Sequence, residues 1–162
     1  MALIKEKIIQ LLQYRIQQEQ QSSRIYKAMS SWLNLNGFLG AAKLWQEYSD
    51  EELDHAEWTV KFLLDLNILP VTPSQEEPEL NYTGLSQIIA LSMKHELDIT
   101  NQCEFLAKAC LESNDFKTFG LAQKYVDEQV GEIAKVQTWV DRLESFGTSD
   151  IAIRMLDKEM GE

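Results

Sequence analysis

Four glutamates and one histidine interrupt rows of otherwise apolar residues in this sequence. Glu19, Glu52, Glu96 and Glu132 each stand in a row that recurs every seven positions, and His55 follows Glu52 by three residues. Helices that pack almost antiparallel bury residues about seven apart, so these side chains are predicted to enter a core. Buried carboxylates repel one another and need cations or shared protons. Carboxylates with a single imidazole favour iron or manganese over a thiolate zinc site.

The four glutamates indicate a site because of their common position, which no single glutamate would do. A lone glutamate in a helix usually points to solvent, but these four lie near the middles of their helices and meet at one height in an up-and-down bundle. Glu52 and His55 are one turn apart on the same helical face. His95 is rotated by about 100° from Glu96, so we expect it to be exposed and give it no role.

Helical periodicity runs through nearly the whole sequence, with glycine and proline mainly between the periodic stretches. Helices are predicted over about residues 3–35, 38–67, 84–112, 116–145 and 150–160. Thr148 or Ser149 can cap the last of them. The connections are short, long and short, and the proline-containing segment 68–83 is long enough to cross the bundle. The predicted fold class is therefore all-α, an antiparallel four-helix bundle with a long crossover and a short C-terminal fifth helix.

Length and charge narrow the function. The 162 residues suit one domain, 1–162, and 15 Lys and Arg against 26 Asp and Glu give a net charge of −11. This balance disfavours nucleic acid and anionic membranes as partners and favours metal cations. The sequence has no run of about eighteen apolar residues and starts directly in a helical pattern, so we expect a cytoplasmic protein. Cys103 and Cys110 lie too far apart on one helix to form a disulfide and are predicted to be buried thiols.

Three segments together resemble the ferritins, specifically the bacterial non-haem type, and the resemblance covers essentially the whole chain. The first is Glu19 with Tyr26 seven residues later. The second is the stretch 48–57, which contains Glu52 and His55. The third is Glu128-Gln129-Val130-Gly131-Glu132. A ferritin-like fold is implied by this resemblance.

The resemblance also implies a pair of iron positions and their ligands. Glu52 would bridge the two irons. Glu19 and His55 would complete one position, and Glu96 and Glu132 the other.

Further residues take roles only through the resemblance. Tyr26 would steady a ligand carboxylate with its hydroxyl and so belong with the catalytic residues. Gln129 would lie at the metals as a polar or water-mediated contact. Glu51 and Glu128 resemble the ligands of a neighbouring third iron site.

The activity implied is that of a ferroxidase that stores iron. Fe(II) would be oxidised by O2 or H2O2 at the di-iron site and stored as ferric mineral in a homo-oligomeric cage of twenty-four subunits. No haem is expected, because Gly131 stands where bacterioferritins have a second histidine ligand and Leu53 where they have a haem-binding methionine.

Three other functions are compatible with parts of this pattern. A di-iron peroxidase or oxygenase of the rubrerythrin kind would share the core ligands, although no Cys-x-x-Cys motif occurs here. A small DNA-protecting cage would place its iron site between subunits and lack the fifth helix. A purely structural bundle would bind no stoichiometric metal.

Overall fold

The computed structural model describes residues 3–162. Within this range the chain forms the helices α1 (Glu6–Leu35), α2 (Leu39–Asp65), α3 (Leu85–Glu112), α4 (Phe116–Phe146) and α5 (Asp150–Met160). α1 pairs with α2, α3 pairs with α4, and α5 packs against α2 and α4. Among the described residues, no helix combines the length and apolar character needed to cross a membrane. The predicted all-α bundle with a long crossover and a fifth helix is confirmed.

The helix bounds agree with the predicted ones to within a few residues. The largest difference is at the beginning, where α1 starts at Glu6 rather than at residue 3. Lys5 is extended, with φ −72° and ψ 148°, and the preceding Ile4 is buried in the core. Residues 1 and 2 lie outside the described part of the chain.

The helices α1, α2 and α3 end in the same way. The shared ending forms the tight turns after α1 and α3 and begins the crossover after α2. Gly37, Asn67 and Asn114 have φ values of 77°, 58° and 53°, a left-handed conformation that glycine and asparagine tolerate best. The next residue then donates its backbone N–H to a carbonyl five residues back, at 2.9 Å in each of the pairs Phe38 to Leu33, Ile68 to Leu63 and Asp115 to Cys110. The left-handed residue also explains why α2 stops at Asp65 instead of residue 67.

The crossover lies along α1, attached by glutamines that recur every four residues. Gln13 donates to the Leu69 carbonyl at 3.1 Å and accepts from the Val71 N–H at 2.8 Å. Gln17 and Gln21 repeat this contact further along, to the carbonyls of Ser74 and Glu76, each at 3.2 Å. The side chains thus satisfy backbone groups that a non-helical segment cannot pair within itself.

The core consists of apolar clusters on either side of a polar layer. One cluster includes Trp45 and Leu33 and extends to α5, and another includes Ile8 and Leu63. The predicted glutamates interrupt the apolar rows between these clusters. Water is therefore largely excluded from the layer in which the charges meet.

α5 is fixed to the start of α2 by a close backbone approach. A Cβ atom on Gly40 would lie 1.9 Å from the Asp157 carbonyl oxygen, so only glycine fits there. The Asp157 carboxylate accepts a hydrogen bond from the Ala41 N–H at 2.8 Å and so caps α2 from another helix. Ser149 caps α5 itself through the Ala152 N–H, as predicted.

Candidate metal centre

Each of the four long helices contributes a glutamate to one buried layer. Glu19 comes from α1, Glu52 and His55 from α2, Glu96 from α3 and Glu132 from α4, and none of the five is more than 5% exposed. The seven-residue rows explain this placement, because each helix turns the same face to the bundle axis along its length. The structure thus brings all five predicted ligands together.

The layer contains overlapping groups of donors. Glu19, Glu52 and His55 have ligand atoms within 4.8 Å of one another, and so do Glu52, Glu96 and Glu132. His55 Nδ1 lies 3.3 Å from Glu52 Oε2 and 3.9 Å from Glu19 Oε2, so this nitrogen faces the first group. Glu52 belongs to both groups and stands between them.

Glu128 lies on the solvent side of the imidazole. Its Oε1 is 3.3 Å from His55 Nε2, and its side chain is 41% exposed. His55, Glu128 and Glu132 form a further group of donors within 4.8 Å. A carboxylate on the second ring nitrogen orients an imidazole. Glu128 also extends the row of carboxylates from the buried layer towards solvent.

Glu96 is held from two sides by neutral donors. The Tyr26 hydroxyl donates to Glu96 Oε1, and Gln129 Nε2 donates to Glu96 Oε2 at 3.0 Å. Burial and the charge of Glu96 raise the pKa of Tyr26 well above its ordinary value, so the hydroxyl keeps its proton. Gln129 presents its amide nitrogen to a ligand carboxylate here, and direct metal binding by Gln129 stays a prediction.

His55 is in turn supported by two aromatic residues. The Trp58 ring centroid lies 4.8 Å from that of His55 and 5.2 Å from that of Tyr125. The Tyr125 hydroxyl donates to the His55 backbone carbonyl and lies 2.7 Å from the Thr59 hydroxyl. These contacts restrain the helix segment that carries the imidazole.

Sequence reasoning missed a cation buried beside the centre. Arg15 is 1% exposed, its Nε lies 2.8 Å from Glu19 Oε1, and its Nη2 donates to Gln102 Oε1 at 3.0 Å. The spacing of four residues between Arg15 and Glu19 was an available signal, because such pairs meet on one helical face. The spacing alone could not show that the pair is buried.

Glu51 is placed differently from the other predicted ligands. Its carboxylate contacts Lys135 Nζ, which also lies 3.0 Å from Glu132 Oε2. Within residues 3–162, Glu51 belongs to none of the three donor groups, whereas Glu128 belongs to one. A shared iron site of Glu51 and Glu128 stays a prediction.

The carboxylates carry more negative charge than the protein neutralises. Burial and the charge of Glu19 raise the pKa of Glu52 well above its ordinary value. Burial also raises the pKa of Glu132 to about 7, although Lys135 acts in the opposite direction. Glu19 Oε2 and Glu132 Oε1 are buried and have no hydrogen-bond partner in the part of the chain that the structure describes. Unsatisfied buried carboxylate oxygens of this kind fit a cation.

The prediction that His95 is exposed is wrong. His95 is half-buried, its Nε2 lies 2.8 Å from Ser22 Oγ, and its ring packs edge-on to Tyr26 with centroids 5.6 Å apart. The rotation from Glu96 points this side chain towards α1 instead of solvent. Ser22 already donates to the Gln18 carbonyl, so His95 is the donor in their hydrogen bond.

Comparison with known proteins agrees with this arrangement. The family model of a ferritin-like domain matches residues 9–146. A bacterial non-heme ferritin from Escherichia coli O6:H1 is 31% identical over 158 residues, which cover 98% of this chain and 96% of the relative. A probable bacterial non-heme ferritin-like protein from Haemophilus influenzae is 29% identical, with 98% and 96% covered. A crystal structure of an open pore ferritin from Archaeoglobus fulgidus has a TM-score of 0.94 at 28% identity and covers 98% of this chain and 97% of its own. The resemblance seen in the sequence is confirmed, and this chain belongs to the ferritins, the iron-storage family that its motifs resemble.

Proposed function

We propose that this protein oxidises Fe(II) at two iron positions inside the bundle and stores the ferric product within a homo-oligomeric shell. The observation that carries the proposal is the position of Glu52, which is common to the two buried groups of donors. A carboxylate has two oxygens, so one side chain in this place can hold two metal ions close together. Membership of the ferritins supports iron as the metal.

The two positions use the predicted residues. Glu19, Glu52 and His55 would bind one Fe(II), and Glu52, Glu96 and Glu132 the other. The donors are hard and anionic apart from one imidazole, which suits Fe(II) and favours Fe(III) further. The proposal includes no haem, in keeping with the relatives named non-heme ferritins.

In the proposed reaction each of two Fe(II) ions gives up one electron. O2 accepts the two electrons with two protons and leaves as H2O2, and H2O2 in turn can accept two electrons with two protons to give water. Because the pKa values of Glu52 and Glu132 are raised, these carboxyl groups give up protons when Fe(II) binds. The site can therefore supply protons close to where the oxidant is reduced.

The surrounding residues keep the ligands in place. Tyr26 and Gln129 orient Glu96, and Arg15 orients Glu19. The group formed with Glu128 continues from the buried layer to a partly exposed carboxylate. We propose that oxidised iron leaves along this side, so that the positions are refilled in each cycle.

Storage also requires an assembly, for which we propose a shell of twenty-four copies of this single-domain chain. A groove of about 820 Å³ on the α1–α2 face is lined in part by Trp32, Leu35, Leu53 and Leu80. Leu35, Leu53 and Leu80 are exposed, as are Ile151 and Met155 of α5. A second copy would cover such apolar surface.

The proposal is tested by adding Fe(II) to the metal-free protein without oxygen and then admitting air. Ferric absorbance measures oxidation, and native mass spectrometry with iron analysis measures particle size and retained iron. Glu52→Ala and His55→Ala are expected to lose the rapid oxidation of about two irons per subunit. Glu57→Ala is the matched control, because Glu57 lies exposed on the same helix and should oxidise iron at the unmodified rate.

Two results would contradict the proposal. A small species that oxidises iron but keeps only two ions per subunit would indicate a di-iron enzyme of the rubrerythrin kind. A wild-type protein that takes up no metal would indicate a structural bundle.

A further inference from the structure

Lys135 occupies the solvent edge of the metal centre in a position that the proposed function does not use. Its Nζ contacts Glu51 Oε2, lies 3.0 Å from Glu132 Oε2 and lies 5.1 Å from the Tyr48 ring centroid. The side chain comes from α4, one turn beyond Glu132, and is 35% exposed. It therefore joins a carboxylate of α2 to a ligand carboxylate of α4.

We propose that Lys135 is a tethered cation that keeps a third metal ion away from Glu51 and Glu132, so that each subunit binds two metal ions instead of three. This inference rests on the proposed two-iron function. If it is right, the third iron site that the sequence resemblance implies for Glu51 and Glu128 does not form in the wild-type subunit.

The carboxylates around Lys135 would otherwise resemble a cation site. Glu132 and Glu128 have donor atoms within 4.8 Å of each other, and Glu51 reaches Glu132 through the ammonium group. Glu132 is also nine-tenths buried, and its Oε1 has no hydrogen-bond partner among the residues described. With the ammonium removed, three carboxylates with spare oxygens would adjoin one another, which is a typical environment for a divalent ion.

The ammonium excludes a metal in two ways. It occupies Oε2 of Glu51 and Oε2 of Glu132, and its positive charge repels a divalent ion at close range. A lysine side chain is ordinarily charged at neutral pH, and this ammonium lies between two carboxylates. Since the lysine is covalently part of the chain, it competes with metal ions at any protein concentration.

The test counts Co(II) ions bound per subunit in the absence of oxygen, by calorimetric titration and by the d–d absorption of the bound metal. Wild type is expected to bind two. Lys135→Leu, which removes the charge and keeps an apolar stem, is expected to bind three. Lys135→Arg keeps the charge and should again bind two, and the double variant Lys135→Leu with Glu51→Gln should return to two because the added site loses a carboxylate.

Other ion counts would overturn either this inference or the proposed function. Three ions in wild type, or two in Lys135→Leu, would overturn the inference while leaving the two-iron function in place. Three ions in the double variant would show that the extra ion binds elsewhere and would also overturn it. No Co(II) in wild type would overturn the proposed function itself. Far-UV circular dichroism checks that the variants are folded, as expected for a partly exposed side chain.

Discussion

The two halves of the proposed metal centre differ in the positively charged residue that lies beside each. The α1–α2 half, Glu19 and His55, has Arg15, a guanidinium that is 1% exposed and anchored to Gln102. The α3–α4 half, Glu96 and Glu132, has Lys135, a flexible ammonium that is 35% exposed. An arginine in a buried pair stays charged and fixed, whereas a lysine at the solvent edge can move. The first half thus has a buried and fixed cation, and the second has a partly exposed one.

The halves also differ in what their tyrosines hold. In the α1–α2 half, Tyr125 donates to the backbone carbonyl of His55. In the α3–α4 half, Tyr26 donates directly to the carboxylate of Glu96. The first tyrosine restrains a helix segment, and the second orients an individual carboxylate oxygen of Glu96.

The largest effect is expected from removing the buried arginine. Arg15→Met leaves Glu19 buried without its cation, which should lower the free energy of unfolding of the metal-free protein by about 3 kcal/mol. Urea denaturation measures the loss. Bound Zn(II) would supply charge to Glu19 in place of Arg15, so the loss should shrink when the metal is present.

The double variant Arg15→Met with Glu19→Gln is the control for that prediction. With no carboxylate left to neutralise, it should recover most of the stability that Arg15→Met loses. If the double variant were as unstable as the single one, Arg15 would act through packing alone, and the contrast between a permanent and a movable cation would fail.

The next largest expected effect is a dependence of folding stability on pH, which the metal-free protein should show and the metal-bound protein should not. The pKa of Glu132 is about 7 in the folded chain against 4.5 as its ordinary value, so the folded state binds more protons between these pH values. Stability should therefore fall as pH rises from about 4.5 to 7, by about 2 kcal/mol, and Glu52 acts in the same direction. Thermal unfolding across this range measures the slope.

Glu132→Gln should reduce that slope, because glutamine does not titrate, while the contribution of Glu52 remains. Saturation with Zn(II) should flatten it as well, since a metal-bound carboxylate has already lost its proton. A slope that is unchanged in Glu132→Gln would assign the pH dependence to groups other than Glu132 and would contradict the raised pKa of this carboxyl group.

Much of this arrangement could be predicted because it depends on short-range patterns. The helices follow from periodicity and from turn residues such as Gly37 and Asn114, and the register of the four glutamates follows from the seven-residue rows. Ser149 as a cap likewise requires only local sequence. Each of these features can be recognised from residues that lie within a few helical turns of one another in the sequence.

The remaining features depend on contacts between distant segments. The pairing of Lys135 with Glu51 spans 84 residues, and Asp157 caps a helix that begins more than a hundred residues earlier. The direction of His95 depends on which helix packs against α3, which periodicity does not specify. Propensity and spacing contain no information on such contacts, so they had to come from the structure.

The smallest expected effect is on the rate of Fe(II) oxidation when either tyrosine is replaced. Comparing the two variants tests whether the halves differ in how they hold their ligands. Tyr26→Phe removes a donor from Glu96 itself and should lower the initial rate of Fe(II) oxidation about tenfold, with Co(II) still bound in the same amount. Tyr125→Phe removes a donor from a backbone carbonyl within a helix and should change the rate by less than about threefold. Each variant loses one buried hydroxyl, so the two are matched in chemistry and in burial. Stopped-flow absorbance measures both rates, and urea denaturation confirms that their stabilities are alike. If Tyr125→Phe slowed oxidation as much as Tyr26→Phe, the α1–α2 half would depend on fine positioning to the same degree as the α3–α4 half.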